Sequence, residues 1–204
     1  VTEQLASEAR IRAAWGTGNH EQAAVLLLEC YGAELYSFLL ARFHGKPTLA
    51  EDAFSEFSED LWKGLPKFEW RCSIRSWSYK LARSAATRVV RSPYQRAGRR
   101  ESLSEHPSLE QAVAQARTST APYLRTDVKE GFAQLKDGLS VEDRELLTLR
   151  IDRDLSWRDI AFVVAADEDP SGCEDLTKLE AALRQRFSEL KKRLRRLASD
   201  SGLL

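Results

Sequence analysis

The chain has 204 residues, with 31 Lys plus Arg against 31 Asp plus Glu, a formal net charge of zero and 43% hydrophobic residues. That length suits one large domain or two small ones, and the apolar content is enough for folded cores, which excludes a disordered chain. No apolar run approaches the ~18 residues of a membrane span, and no basic-then-apolar leader opens the chain, so a cytoplasmic protein without membrane insertion is expected.

Residues 21–43 are helical by period, with Val25, Leu28, Gly32, Leu35 and Leu39 recurring at three- and four-residue steps. Gly45-Lys46-Pro47 breaks that helix, and Thr48 with Glu51 three residues on predicts a capping box for a second one. Its apolar line is Leu49, Ala53, Phe57 and Leu61, flanked by Phe54 and Trp62. Gly64-Leu65-Pro66 ends it, and Ser73 is the expected N-cap of a third helix running to Arg91. Ile74, Trp77, Leu81, Ala85 and Val89 form the predicted buried stripe of this helix. Lys80, Arg83, Ser84, Thr87, Arg88 and Arg91 share the opposite face.

Residues 96–123 are rich in Ser, Thr, Ala and Gln with weak periodicity, and read as a flexible linker, helical at most over 109–116. A second helical block follows. Val128, Phe132 and Leu135 mark one short helix, and Leu146, Leu147, Leu149 and Ile151 another. Ser156 caps a helix over 157–166, with Asp159 at its third position. After an acidic turn over 167–172, the strongest helix of the chain carries Leu176, Leu179, Leu183, Phe187, Leu190, Leu194 and Leu197 on one seam. The expected architecture is all-α: two small helical domains, 1–95 and 124–204, joined by the linker 96–123.

The net charge of zero conceals a partition. Residues 1–70 sum to −5, 71–100 to +9, 101–183 to −9 and 184–204 to +5. Two positive blocks on an otherwise acidic chain are the footprint of a polyanion contacted at two places. Catalytic signatures are missing: His20, His44 and His106 are far apart, Cys30, Cys72 and Cys173 form no CxxC pair, and no phosphate-binding or nucleophile-elbow motif occurs. Neither an enzyme nor a metal or other cofactor is expected.

In the C-terminal block, a capped helix followed by a turn and a basic helix reads as a helix-turn-helix. Arg184, Gln185 and Arg186 suit base edges, because arginine pairs bidentately with guanine and glutamine with adenine. Lys178 and Lys191, with Lys192, Arg195 and Arg196, suit phosphates. In the first block, the basic face of the third helix lies beside Trp70, Trp77, Tyr79 and Tyr94. Aromatic platforms beside a positive groove are what a single strand requires, and Trp70, ahead of the helix, is the freer platform, whereas Trp77 falls on the apolar stripe. The acidic second helix (Glu51, Asp52, Glu56, Glu59, Asp60) repels DNA and suits a basic protein partner.

These pieces resemble the extracytoplasmic-function (ECF) sigma factors. AEDAFSEFSEDLW (50–62), GLPKF and SIRSWSYKLARSAATRVVR (73–91) look like region 2, and residues 139–195, with DRELLTLRIDRDLSWRDIAFVV and ALRQRFSELKKRLR, look like region 4. The resemblance implies a subunit that directs bacterial RNA polymerase core to promoter DNA. Asp52, Ser55, Glu56 and Glu59 would meet the clamp helices of the largest polymerase subunit, and region 4 would lie at the flap of the second-largest. Trp70, Arg71, Arg75, Tyr79, Lys80, Arg83, Ser84, Thr87, Arg88 and Arg91 would open and hold the −10 element. Arg158, Lys178, Arg184, Gln185, Arg186 and Lys191 would contact the −35 element. An anti-sigma factor is the class of regulator implied. The chain departs from the family pattern at Ser55, usually glutamine, at Phe57-Ser58, usually Thr-Phe, and at Ser84, usually asparagine; its region 4 turn is also longer. Two readings stand beside this one: a stand-alone helix-turn-helix regulator, which would dimerise on palindromes, and an interaction protein using the Leu176–Leu197 seam as a coiled coil.

Overall fold

The computed structural model describes residues 2–91, 106–126, 138–165 and 173–200. They fall into two compact units, Val1–Arg125 and Thr126–Leu204, and every regular element among the described residues is helical.

In the first unit, α1 (Thr2–Gly16), α2 (His20–Arg42), α3 (Pro47–Gly64) and α4 (Ile74–Arg91) pack around α2, and α5 (Pro107–Thr126) completes the unit. A helix that is apolar all round belongs inside, and α2 has buried residues on every side, from Ala23 through Leu27, Tyr31, Leu35 and Phe38 to Leu40. By length and composition α2 could cross a membrane, with a mean hydropathy of 1.5 over its most apolar window, but 72% of that window is buried within the unit. It is the core helix. Asn19 caps it by accepting from the Gln22 amide at 3.1 Å. Its C-terminus closes with His44 and Gly45 both at positive φ, as the Gly45 amide donates back to the Leu40 carbonyl at 2.8 Å.

The second helix starts two residues earlier than the capping-box pattern predicts, with Lys46 rather than Thr48 at the N-cap. Pro47 occupies the first turn after Lys46, with no side-chain cap, because proline has no amide to satisfy there. Ala53, Phe54, Phe57 and Leu61 are fully buried, as their period predicts. In α4 the Ser73 hydroxyl accepts from the Ser76 amide at 3.0 Å, confirming the expected cap. The buried stripe differs from expectation. Ile74, Ser78, Tyr79, Ala82, Ala85, Ala86 and Val89 are buried, whereas Trp77 and Leu81 are only partly so. Small residues let α4 lie close against α2 and α3, and Ser78 satisfies its hydroxyl on the Ile74 carbonyl.

The segment expected as a linker over 96–123 holds, from Pro107, a helix docked on the first unit. Leu109, Ala112, Val113 and Ala116 of α5 are all buried, and they recur at helical spacing. The N-terminal α1, which apolar periodicity does not reveal, is fastened by Trp15, whose indole Nε1 donates to the Leu65 carbonyl at 2.8 Å.

The second unit contains α6 (Val141–Leu147), a π-helical turn (Thr148–Asp152), α7 (Trp157–Val164) and α8 (Cys173–Asp200). Ser140 and Ser156 cap α6 and α7 through the amides of Asp143 and Asp159, each at 3.1 Å. Leu139, Leu147 and Leu190 form the core with Phe187 and Leu194 beside them. The ring of Trp157 meets that of Phe187 edge-on at 5.3 Å, which packs α7 against α8. The helix expected around Val128, Phe132 and Leu135, the acidic turn 167–172 and Tyr94 lie outside the described residues.

Phe57 is wholly buried against the aromatic cluster of α3. Phe57→Ala is expected to destabilise the first unit by about 3–5 kcal/mol in urea unfolding, and a loss below about 1 kcal/mol contradicts this packing.

Candidate nucleic-acid and partner interface

The positive block of α4 divides into cations whose carboxylate partners on other helices bind the fold together and cations that stay partly exposed along the helix. Arg75 donates through Nε to Glu34 Oε1 at 2.7 Å and through Nη2 to Oε2 at 3.3 Å, and the Tyr79 hydroxyl donates to the same carboxylate at 3.1 Å. Only 14% and 15% of the Arg75 and Glu34 side chains are exposed. Burial alone would lower the Arg75 pKa, but the hydrogen bonds and charge of Glu34 outweigh it and hold the guanidinium above its ordinary value. Tyr79 has no exposed surface. A tyrosine so buried cannot stack on a base, so it leaves the set of expected platforms and serves the core, edge-on to Phe38 at 5.2 Å. Sequence pattern could not show the inward turn of Arg75 and Tyr79, because their carboxylate lies on another helix, 41 and 45 positions earlier.

Arg88 also turns inward, donating to Glu56 Oε2 at 3.0 Å and to Asp60. Burial opposes its charge, and the charge of Asp60 with the Glu56 hydrogen bond raises its pKa. Lys80, Arg83, Ser84 and Thr87 stay partly exposed along α4, and Arg91 is exposed. Arg42, at the end of α2, joins them, its Nη2 reaching the Thr87 hydroxyl at 3.5 Å. Sequence reading missed Arg42, whose place beside Thr87 follows only from the parallel packing of α2 and α4.

The loop ahead of α4 is ordered by aromatic contacts. Trp70 has φ +57°, in the region that side chains other than glycine seldom adopt. Its ring lies 5.8 Å from Trp15 and 5.1 Å from Phe68, with the Arg12 guanidinium 5.1 Å from its centroid. Trp70 is therefore half-buried in a closed cluster rather than a free platform, and its indole Nε1 has no hydrogen-bond partner. Trp77 packs on Phe68 at 4.7 Å but is only partly buried, short of the core role its stripe position suggested. Arg71 is the exposed cation of the loop, 77% accessible and paired with Glu69 at 2.7 Å.

On α3, Asp52, Ser55, Glu56 and Glu59 follow one face at i, i+3, i+4 and i+7. Asp52, Ser55 and Glu56 are partly exposed, while Glu59 is buried and paired with Lys63 at 3.3 Å. Glu56, Glu59, Asp60, Lys63 and Arg88 line an open cavity of about 330 Å³. Its three carboxylates are already paired from within, Glu59 with Lys63 and Glu56 and Asp60 with Arg88.

In the second unit, Arg158, Lys178, Arg184, Gln185 and Lys191 are all exposed. Arg184 pairs with Glu180 one turn earlier, Gln185 donates to Glu189 at 3.2 Å, and Lys191 lies 5.0 Å from the Phe187 ring centroid. Arg186 differs: its Nε donates to Asp143 Oδ1 at 2.7 Å and its Nη2 to the Ser140 hydroxyl at 3.4 Å. It fastens α8 to the N-terminus of α6 while 45% of its side chain stays exposed. The structure thus separates Arg184 and Gln185 from Arg186, which the sequence had grouped as base readers.

Residues 27–96, from the middle of α2 past the end of α4, match the family model of sigma-70 region 2. No curated protein and no solved structure matches the chain.

Glu34→Ala leaves a nearly buried guanidinium and a buried phenol without their carboxylate, and is expected to cost about 3–5 kcal/mol in urea unfolding. Arg71→Ala, at an exposed site, is expected to change stability by less than about 0.5 kcal/mol. Equal effects of the two substitutions would contradict the division of the positive block.

Proposed function

We propose, for a chain whose residues 27–96 are a sigma-70 region 2 domain, that the protein is an alternative sigma factor of the ECF group, acting in the cytoplasm. The observation that carries this reading is the region 2 match, which spans both the acidic face of α3 and the basic face of α4. Region 2 is the part of a sigma factor that binds RNA polymerase core and melts the −10 promoter element. In this proposal the α3 face bearing Asp52, Ser55 and Glu56 meets the clamp helices of the largest polymerase subunit, where negative charge favours a basic partner and repels DNA; Glu59, expected on that face, is instead buried on Lys63 and leaves the set. Lys80, Arg83, Ser84, Thr87 and Arg91, with Arg42 and Arg71, hold the opened non-template strand. Partly exposed cations on a rigid helix can track a single-stranded backbone, and their strength falls with salt.

The second unit supplies the −35 contact in this reading. Its two serine-capped helices and the long basic α8 support a helix-turn-helix with the outer face of α8 in the major groove. Arg184 and Gln185 read bases, Arg158, Lys178 and Lys191 neutralise phosphates, and Arg186 positions the helix. The protein binds and directs, and the polymerase performs the chemistry.

Purified protein mixed with RNA polymerase core is expected to initiate from a discrete set of promoters in a genomic run-off screen. Absence of any core-dependent start with folded protein would overturn the proposal. Arg184→Ala with Gln185→Ala is expected to remove about 1–3 kcal/mol of −35 discrimination per contact, measured by competition between wild-type and mutated −35 promoters. Arg186→Ala is expected to lower the melting temperature of the chain as well. Unchanged −35 preference in the first variant would contradict the placement of the base-reading face.

A further inference from the structure

Helix α5 lies in the groove between α2 and α3. Its N-terminus is fixed where Ser108 donates to Glu21 on α2, His106 Nδ1 sits 3.5 Å from the same carboxylate, and the His106 ring packs on Trp62 of α3 at 4.3 Å. Further along, Ala116 meets Gly32 so closely that a Cβ at position 32 would stand 2.6 Å from the Ala116 Cβ. One residue on, Arg117 Nη2 donates to the Ser55 hydroxyl at 2.7 Å and approaches the Glu51 carbonyl at 3.5 Å. The guanidinium lies 5.9 Å from the Phe54 ring centroid. Ser55 spends its own proton on Glu51, so its oxygen is engaged as both donor and acceptor.

We propose that α5 is an autoinhibitory helix: docked in the α2/α3 groove with Arg117 on Ser55, it covers part of the surface that RNA polymerase core must reach. This rests on the assignment of the α3 face to the polymerase made above. A basic side chain delivered by the chain itself stands where a basic partner would place its own.

The grip is suited to reversal. The buried face of α5 is Leu109, Ala112, Val113 and Ala116, two of the four being alanines, and its outer face is exposed and polar. Such a face buries little apolar surface, so a polymerase helix of larger contact area can displace it. Because α5 ends where the second unit begins, at Arg125 and Thr126, its release also frees chain length between the two DNA-contacting units.

The test measures the affinity of the full-length chain for purified bacterial RNA polymerase core. Ala116→Arg drives a long charged side chain into the Gly32 contact and undocks α5, and Arg117→Ala removes the Ser55 contact more gently. A third variant, Glu21→Cys with Ser108→Cys in a background lacking the native cysteines, is tied by a short reducible bis-thiol crosslinker that spans the reach of the lost glutamate and locks α5 in place. If the open form is about a tenth of the population, undocking tightens core binding by about tenfold, because apparent affinity scales with the competent fraction. The expected result is tighter binding by Ala116→Arg and Arg117→Ala, and weaker binding by the locked variant that a reductant reverses. Equal core affinity of the folded wild-type, undocked and locked chains would overturn the autoinhibition while leaving the sigma-factor reading intact. Failure of every folded variant, undocked ones included, to bind core would overturn that reading and this inference with it.

Discussion

One carboxylate sets the register on which the candidate site depends. Glu34, on the buried central helix, accepts two hydrogen bonds from Arg75 and a third from Tyr79. A nearly buried ion pair gives little net stability, but breaking it is costly, so the contact selects one alignment of α4 on α2 over its neighbours. With Arg75 and Tyr79 turned inward, the helical period leaves Lys80, Arg83, Ser84 and Thr87 partly open. The same alignment brings Arg42 to Thr87 and Arg88 to the carboxylates of α3. The register of α4 thus decides which cations of the positive block stay partly exposed to a polyanion.

Much of the fold was legible before the structure. The breaks at Gly45-Lys46-Pro47 and Gly64-Leu65-Pro66, the caps at Ser73 and Ser156, and the leucine seam of α8 act locally, within one turn of their own helix, so sequence spacing reveals them. The cap at Ser140 emerges only from the structure. The rest depends on contacts far apart in sequence. The stripe of α4 reads toward Trp77 and Leu81 because large apolar residues dominate a periodicity count, whereas close packing against α2 and α3 adds Ser78, Ala82 and Ala86 to the expected Ala85. For the same reason α5 read as a linker: Ala112 and Ala116 contribute little to an apolar pattern, yet Gly32 opens the space that makes them good packing residues.

The candidate site shows the same limit. Charge partition located both positive blocks and the acidic face of α3, since these are sums over neighbouring residues. It could not single out Arg75, Arg88 or Arg186 as residues that bind the fold together, because each rests on a carboxylate in another element: Glu34, Glu56 with Asp60, and Asp143. Trp70 likewise looked free in the sequence, and the cluster that holds it is completed by Trp15 and Arg12 of α1. The overall neutrality of the chain is consistent with a protein whose positive surfaces are rationed to two places, with opposite charge reserved for a protein partner.

The central claim is that the basic face of α4 holds a promoter strand opened only in the company of polymerase. Permanganate reactivity of thymines in the −10 element of a promoter identified by run-off tests it most directly. The account predicts reactive thymines only when protein and core are both present, and their loss when Lys80 and Arg83 are replaced by alanine in a chain that still binds core. Reactivity unaffected by those replacements, or strong duplex binding by the free protein with no strand opening on addition of core, would contradict it.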